Sequence, residues 1–579
     1  MHGLQLLTVS KFQTNSASSM RNYLLFLLAA GAFVLAGAVP AAAQGSVRRH
    51  LVFFRDKAGT PFSVTRPEAF LSARSLARRA RQGIAVRVRD LPVNPAYVAR
   101  VQAVAGAPQV RYTSRWFNAV VIACDSATLA RVRALPEVSA AQTLSAASRP
   151  TAPTNRLVST SAPALPVPAK LTTAGEPGTR ATYGKTFGQN QLLGAIAMHD
   201  AGFRGEGMQI AVFDAGFPGA NTIQALLALQ SEGRLAGTRN FVDGGRSVFT
   251  RDSHGTECLS TMAANAAGFF VGTAPQATYH LCITEDGSSE RPVEEANWLA
   301  AAEYADSAGV DVISSSLGYT TFDAPARSYT YADLDGRTAL STRAALEAAR
   351  VGMLVVNSAG NEGNKPWRYV TAPADADSII TVGAVDSLRR KASFSSFGPT
   401  ADGRLKPTLS AQGVQTFVLT PGGAAIQGNG TSFACPNLAG LVAGFWQANP
   451  QLSAQQVISY LTRSASQAAA PDNFLGFGIP NFTAAQALVP PVARQLELYP
   501  NPADGSGMLR LRLPMPYLGH ELRVRITDSR GALVRDLRLP AAPGDVRVLP
   551  VGVLAGGMYT CRVEGVANQP ARSIRFTQP

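Results

Sequence analysis

At 579 residues, with 46% hydrophobic and 16% charged side chains, the chain is too long for one ordinary core and too apolar for disorder. Its net charge of +15 invites a nucleic-acid reading, but the charge is segregated. Residues 45–143 carry 16 basic and 5 acidic side chains, residues 184–488 carry 19 and 25, and residues 489–579 carry 12 and 7. A basic end beside an acidic centre suggests an intramolecular partner as readily as an external one, and no nucleic-acid partner is expected.

In chain order, Met20-Arg21 precede an apolar run from Tyr23 to Val39 and then "AAAQ" at 41–44. A short positive region, an apolar region and a small-residue cleavage site make a secretory signal peptide over 20–43, cut after Ala43. The run is at the short end for a spanning helix, so export is expected. Residues 1–19 are polar and suit a leader poorly, which makes Met20 a candidate start.

Residues 45–143 read as a small α+β unit. "HLVFFRD" (50–56) is a strand, "PEAFLSARSLARRARQG" (67–83) a helix with Phe70, Leu71 and Leu76 on its apolar side, and "QVRYTSRWFNAVVIAC" (109–124) mostly strand. "SATLARVRALPEV" (126–138) is a helix breaking near Pro136, followed by an extended "VSAAQTL". Residues 144–183, rich in Ser, Thr, Ala and Pro, read as a linker open to proteolysis.

Residues 184–489 alternate short apolar runs with helical stretches. Runs at 207–216, 277–284, 309–318, 352–361 and 378–386 end in small or polar residues, and 293–309 and 338–352 are helices between them. This predicts an α/β fold, a mostly parallel sheet with helices on both faces, whose sites gather at the carboxyl ends of the strands. Residues 493–579 read as short alternating strands in a small β-sandwich.

The five cysteines (124, 258, 282, 435, 561) are scattered without paired metal spacing. Cys258 and Cys282 could pair in an oxidising compartment, but buried free thiols are the favoured reading. Of the histidines, His199, His254 and His280 lie in the centre, and no HExxH pattern marks a zinc hydrolase.

Single residues decide little. Asp214 ends an apolar run, where a carboxylate needs a partner or serves as a cap. His254 opens a helix rich in small residues. Asn361 sits in a glycine-rich turn, as a turn residue or as an amide donor to an oxyanion. "SSSLG" (314–318) is either a loop or a free edge for an extended peptide. Ser432, in "GNGTSFACPNLAG" (428–440), starts a helix, where a hydroxyl is ordinarily a cap. Together they offer a carboxylate, a base and a hydroxyl in the order Asp, His, Ser, and a hydroxyl attacks only when a base takes its proton and an acid orients that base. The G-x-S-x-G elbow is absent around Ser432.

On these motifs residues 184–488 resemble the catalytic domain of subtilisin-like serine peptidases. "IAVFDAGF", "SHGTECLS", "SAGNEG" and "NGTSFACPNLAG" resemble the family's Asp, His, oxyanion Asn and Ser motifs, and "SSSLG" the strand lining its cleft. The resemblance implies that Asp214 orients, His254 is the general base and acid, Ser432 attacks and Asn361 stabilises the oxyanion. Ser316, Leu317 and Gly318 would pair with substrate backbone. It further implies a secreted endopeptidase acting on peptides or proteins through an acyl-enzyme, made as a zymogen whose residues 45–143 are an inhibitory propeptide. No cofactor or metal is implied, and no calcium-loop pattern supports a structural calcium.

Four departures stand out: Ala215 for Thr, Glu257-Cys258 for His-Val, Asn437 for His, and "LSAQG" (409–413) for Ala-Pro-Gly. Glu285, Asp286, Glu294 and Glu295 could form an acidic subsite, although a solvated loop and helix start is the commoner meaning of such a run. "LYPNPADG" and "GGMYTCRV" resemble the sorting domain of type IX secretion cargo, implying a secretion-machinery partner for 493–579 and release or attachment at the cell surface. The rival reading is an inactive subtilase-like surface scaffold that binds peptides or partners.

Overall fold

The computed structural model describes residues 46–144, 178–244, 247–490, 496–514, 517–542, 545–564 and 571–579. The expected leader at 20–43 and most of the expected linker at 144–183 lie outside them.

Near the start of the chain, β1 (Arg48–Phe54), β2 (Gln109–Ser114), β3 (Ala119–Cys124) and β4 (Val138–Thr143) form an antiparallel sheet in the order β2-β3-β1-β4. β3 reads AVVIAC with almost no polar position because both its faces are covered. Val120 and Ile122 face this unit's own Val101, Leu129 and Val132, whereas Ala119 and Val121 pack with Phe213 and Trp298 of the larger domain.

Three helices accompany this sheet, α1 (Ala73–Arg81), α2 (Pro95–Gln102) and α3 (Ser126–Arg133). The helix expected over 67–83 is shorter than its sequence pattern. A 3₁₀ turn covers Pro67–Ala69, and α1 starts only after Ser72, whose side chain accepts from the Ser75 N–H as an N-cap. Its buried side is also not the expected apolar one: Ser75, Arg78 and Arg79 are buried, while Leu76 is only partly so. α2 was not expected, although Asn94 caps it and Pro95 occupies its first turn.

The central domain contains a parallel seven-stranded sheet. Its strands are β5 (Gln209–Asp214), β6 (Leu235–Asn240), β7 (Thr278–Ile283), β8 (Val312–Ser315), β9 (Leu354–Ser358), β10 (Ile380–Val385) and β11 (Leu409–Gln412), ordered β11-β10-β9-β8-β5-β7-β6. Helices cover the sheet, among them α4 (His254–Ala263), α5 (Pro292–Ala308), α6 (Leu340–Arg350) and α7 (Thr431–Ala448). Burial on both faces explains the continuous apolar runs that mark the strands. Strand order reverses around β5, which places the carboxyl ends of β5, β7, β8 and β9 around one crevice. α7 crosses beneath them almost wholly buried, and its glycines permit that depth: a Cβ on Gly440 would lie 1.9 Å from Thr273 Oγ1.

A short hairpin, β12 (Thr416–Leu419) with β13 (Ala425–Gly428), leads into α7. After the central domain come two antiparallel sheets, β14-β15-β18 and β17-β16-β19-β20, from β14 (Glu497–Tyr499), β15 (Met508–Arg512), β16 (Leu522–Asp528), β17 (Leu533–Leu539), β18 (Val546–Pro550), β19 (Gly557–Glu564) and β20 (Arg572–Gln578). Leu509, Leu511 and Leu549 from one sheet and Val524, Ile526 and Val563 from the other share a core. Among the described residues no helix is long and apolar enough to cross a membrane.

The first unit sits on α5 and α6 through arginines. Arg78, Arg79 and Arg115 all bond the carboxylate of Asp306, which is 0% exposed. Burial opposes the charge on Asp306, but the three guanidiniums more than offset it and hold its carboxyl below the usual range. Glu303 accepts from Ser114 Oγ and from the backbone N–H groups of Arg115 and Trp116. Arg74 reaches Asp311, Arg89 reaches Glu347 at 2.7 Å, and Tyr112 donates to Asn297 at 2.8 Å. The buried polar face of α1 is thus explained: it meets carboxylates, not a core.

Candidate active site

A cavity of about 720 Å³ lies at the carboxyl ends of the central strands. Its lining includes Asp214, His254, Ser316, Leu317, Gly318 and Asn361. Asp214 closes β5, fully buried, with Oδ1 accepting from the Ala215 N–H and facing His254 Nδ1, each at 2.8 Å. His254 opens α4, and its own N–H donates to Asp252 Oδ1 at 2.9 Å.

Gly255 makes this pairing sterically feasible. A Cβ there would lie 2.3 Å from the Gly216 carbonyl oxygen and 2.9 Å from Asp214 Cβ. Gly255→Ala must therefore drive α4 away from β5. We expect a stability loss of about 1–3 kcal/mol in urea melts, together with a fall in kcat from the disturbed Asp214–His254 contact.

Electrostatics separates the three central histidines. His199 bonds Tyr183 Oη and the Thr273 carbonyl, and His280 bonds Tyr304 Oη and Gln209. Burial pulls both pKa values down to about 4, so both are neutral. Burial also works against a charged His254, but the Asp214 carboxylate reverses it and holds this pKa well above the ordinary imidazole value.

Ser432 occupies the first turn of α7, 1% exposed, and its Oγ has no hydrogen-bond partner among the described residues. Hydroxyl–imidazole contacts are often loose before substrate binds. The position is fixed through the backbone instead. Pro436 lies four residues on and has no N–H, so the Ser432 carbonyl cannot enter the helical ladder. Ser316 Oγ donates to that carbonyl at 2.8 Å and Cys258 Sγ at 3.3 Å. Cys258 also stands 3.9 Å from His254 Nε2, and the Phe433 ring is 5.9 Å from the imidazole. Burial pushes the Cys258 thiol up to about 11, so it is protonated at neutral pH.

Asn361 follows β9 and is oriented by Thr431, whose N–H and Oγ1 both donate to Asn361 Oδ1 at 2.9 Å. That leaves Asn361 Nδ2 beside Gly430, 3.4 Å from where a Cβ would stand there. The helix start adds the positive end of its dipole at the same place. Ser316, Leu317 and Gly318 extend beyond β8 as one rim of the cavity, with Asn357 Nδ2 donating to the Leu317 carbonyl at 3.0 Å.

The four acidic residues following β7 divide. Glu294 accepts from the N–H groups of Asp286 and Arg291, and Glu295 from Ser341 and Tyr329. Both are buried and structural: Glu294 serves the start of α5 and the loop before it, and Glu295 the start of α6. Glu285 and Asp286 do line the cavity; Glu285 bonds Tyr319 Oη, and burial with the nearby Glu290 raises its pKa to about 8.

All five cysteines are buried and free, so Cys258 and Cys282 are not paired. Among the described residues, donor atoms of Asp214, His254 and Cys258 lie within 4.8 Å of one another. Within this cluster the carboxylate is engaged with the imidazole, and the Cys258 thiol donates to the Ser432 carbonyl.

The departures fall behind the site or on its rim. Asn437 Nδ2 donates to the Phe433 carbonyl, and its Oδ1 accepts from Gln189, which also bonds Phe417 of β12. Glu257 accepts from Ser253 Oγ and lines the cavity. Residues 409–412 of "LSAQG" form the edge strand β11. The sequence reading missed Cys258, Thr431 and Pro436 as site supports; of these only Pro436 left a signal, a proline spaced one hydrogen bond from Ser432.

Two regions of the chain match known protein families. A subtilase family profile matches residues 205–478, and a profile for the peptidase S8 propeptide domain of Bacteroidota matches residues 49–157. Subtilisin DY of Bacillus licheniformis is 30% identical over 298 residues, covering 51% of this chain and 96% of that protein. Subtilisin of Bacillus pumilus is 32% identical over 307 residues, covering 52% and 98%. The crystal structure of MycP1 from the ESX-1 type VII secretion system aligns at 21% identity and a TM-score of 0.41, over 52% of this chain and 86% of that one. With nearly the whole of two subtilisins matched at this identity, the chain belongs to the subtilase family and is a serine-type endopeptidase.

Proposed function

We propose that Asp214, His254 and Ser432 act as a triad and that Asn361 holds the oxyanion. His254 Nε2 takes the proton of Ser432 Oγ as the hydroxyl attacks the scissile carbonyl, and Asp214 stabilises the imidazolium formed. The carbonyl oxygen, now negative, is met by Asn361 Nδ2 and an N–H of the first turn of α7. His254 returns the proton to the leaving amine, and water repeats the sequence to release the acyl group. The 2.8 Å contact between Asp214 Oδ1 and His254 Nδ1 at the cavity wall carries this reading.

In the same reading residues 45–143 are the inhibitory propeptide, 144–183 the segment cut on maturation and 184–489 the catalytic domain. The buried arginine contacts to Asp306 support intramolecular docking. The signature at 20–43 supports export to the medium or the cell surface, and the motif pair in 493–579 supports a sorting domain for type IX secretion. No observation favours the rival scaffold reading, because each residue type the chemistry needs is present.

A fluorophosphonate probe tests the assignment. Mature wild type should be labelled and Ser432→Ala and His254→Ala should not. The labelling rate should fall with acid, because only neutral His254 accepts a proton, and the midpoint should lie above the ordinary imidazole value. An unlabelled, correctly processed wild type would refute the triad.

A further inference from the structure

The seam between the first unit and the central domain holds a second cavity, of about 260 Å³. Its position follows from the sheet. Arg49 of β1 pairs with Ala123 of β3, on the face that carries Leu51 and Val121 toward the central domain. Ala123 is small and leaves room there. β2 bulges beside it: Val110 pairs with Ile122 and Tyr112 with Val121, so Arg111 is the extra residue and its side chain leaves the alternation. Across the seam stands Arg291, immediately before α5. The three arginines line the cavity together with Ala123, Ser289 and Val293.

Positive charge in this cavity exceeds negative. Burial lowers the Arg49 pKa, and the neighbouring Arg111 and Arg291 lower it further, against the opposing effects of Tyr112 and Asp286. Two carboxyl groups face the same space. Asp286 is shared with Arg251, at 3.1 Å. Glu294 accepts from two backbone N–H groups, and burial, with Glu285 and Glu290 nearby, raises its pKa and favours its neutral form. Arg291 Nε is buried and has no hydrogen-bond partner among the described residues. Buried guanidinium nitrogens are ordinarily paired, so this orphan, in a cavity shared with two further guanidiniums, points to an anionic partner. The start of α5, a helix of 17 residues, adds its positive dipole end.

We infer that Arg49, Arg111 and Arg291 bind a free tetrahedral oxyanion, phosphate or sulfate, which clamps the first unit to the central domain. Guanidinium forks match the oxygens of such an ion two at a time, and its double charge offsets like charges that Asp286 offsets only in part. Two of the arginines belong to the first unit and one to the central domain, so the ion bridges them and its removal weakens docking. Release of residues 45–143 then depends on the phosphate or sulfate of the surroundings. The inference rests on the docked first unit and not on the serine chemistry.

Uncut Ser432→Ala chain, titrated with sodium phosphate by calorimetry at constant ionic strength, should bind one phosphate. The same chain, cut once by an added protease between residues 145 and 177, is then diluted on gel filtration. Phosphate at about ten times its Kd should lower the concentration at which the pieces separate by about tenfold, and chloride at equal ionic strength should not. Arg291→Gln and Arg111→Gln should each abolish this gain, whereas Arg89→Gln, at the contact with Glu347, should keep it. Where the cut pieces stay together at every dilution, thermal melting of the uncut chain reads the same gain as a higher Tm, again lost in Arg291→Gln. No phosphate binding, an equal gain with chloride, a full gain in Arg291→Gln, or binding that changes neither separation nor Tm overturns the inference. None of these readouts uses peptidase activity, so failure of the serine reading leaves the test intact.

Discussion

Ser432→Ala is expected to accumulate as one uncut chain still carrying residues 45–143, with kcat lower by about 10⁶; that loss was measured on subtilisin, a relative, when its catalytic serine was removed. The size follows from the roles proposed: without the hydroxyl no acyl-enzyme forms, and the Asp214–His254 pair has nothing to activate. If the maturation cut is made by the protein itself, the same variant cannot make it, so processing and peptidase activity vanish together. Intact mass and N-terminal sequencing of pure Ser432→Ala read the first, and peptide hydrolysis the second. A pure Ser432→Ala that matures at the wild-type rate would show that another residue makes the cut.

The second large effect is expected at Asp306. Three arginines from α1 and the β2–β3 turn share its buried carboxylate. Asp306→Asn keeps the shape and removes the charge, leaving the desolvated guanidiniums of Arg78 and Arg115 without their ion-pair partner, while Arg79 keeps Asp90. Breaking a buried pair in this way costs about 3–5 kcal/mol, or roughly two to four orders of magnitude in propeptide affinity. By contrast, Arg89 in the Arg89–Glu347 pair is 41% exposed, and losing such a contact costs about 1 kcal/mol or less. The comparison is made in a Ser432→Ala chain cut once by an added protease between residues 145 and 177. On gel filtration under progressive dilution, the Asp306→Asn pieces should separate at concentrations where the Glu347→Gln pieces remain together. Equal behaviour of the two variants would mean that apolar contacts such as Val121 against Trp298, not charge, hold the interface.

Chemistry was more legible in the sequence than support. Asp214, His254, Asn361 and Ser432 could be singled out because each lies at or just past a strand end or in the first turn of a helix, where hydrophobic periodicity breaks off at a polar residue. The seven-stranded sheet was largely readable for the same reason, through its continuous apolar runs. β6 was missed because at the sheet edge its sequence, LAGTRN, is neither alternating nor apolar. The helix at 67–83 was drawn too long because its apolar spacing continues through Phe70 and Leu71, whereas the Ser72 cap fixes the start. The burial of Arg78 and Arg79 was hidden for a different reason: their partner, Asp306, lies more than two hundred residues away. Segregated charge announced such a meeting in bulk but could not name the residues. Glu294 and Glu295 show the converse, acidic neighbours in sequence that turn inward to separate acceptor duties.

Pro436 gives the site a property that no single catalytic group has. Because the carbonyl it frees is held by Ser316 on one side and Cys258 on the other, the turn bearing Ser432 is tied both to the peptide-binding rim and to the helix that carries His254. Two hydrogen bonds to that one acceptor join the rim, the turn and the histidine's helix in a single packed unit, and the acceptor is free for them because of a hydrogen that proline does not have.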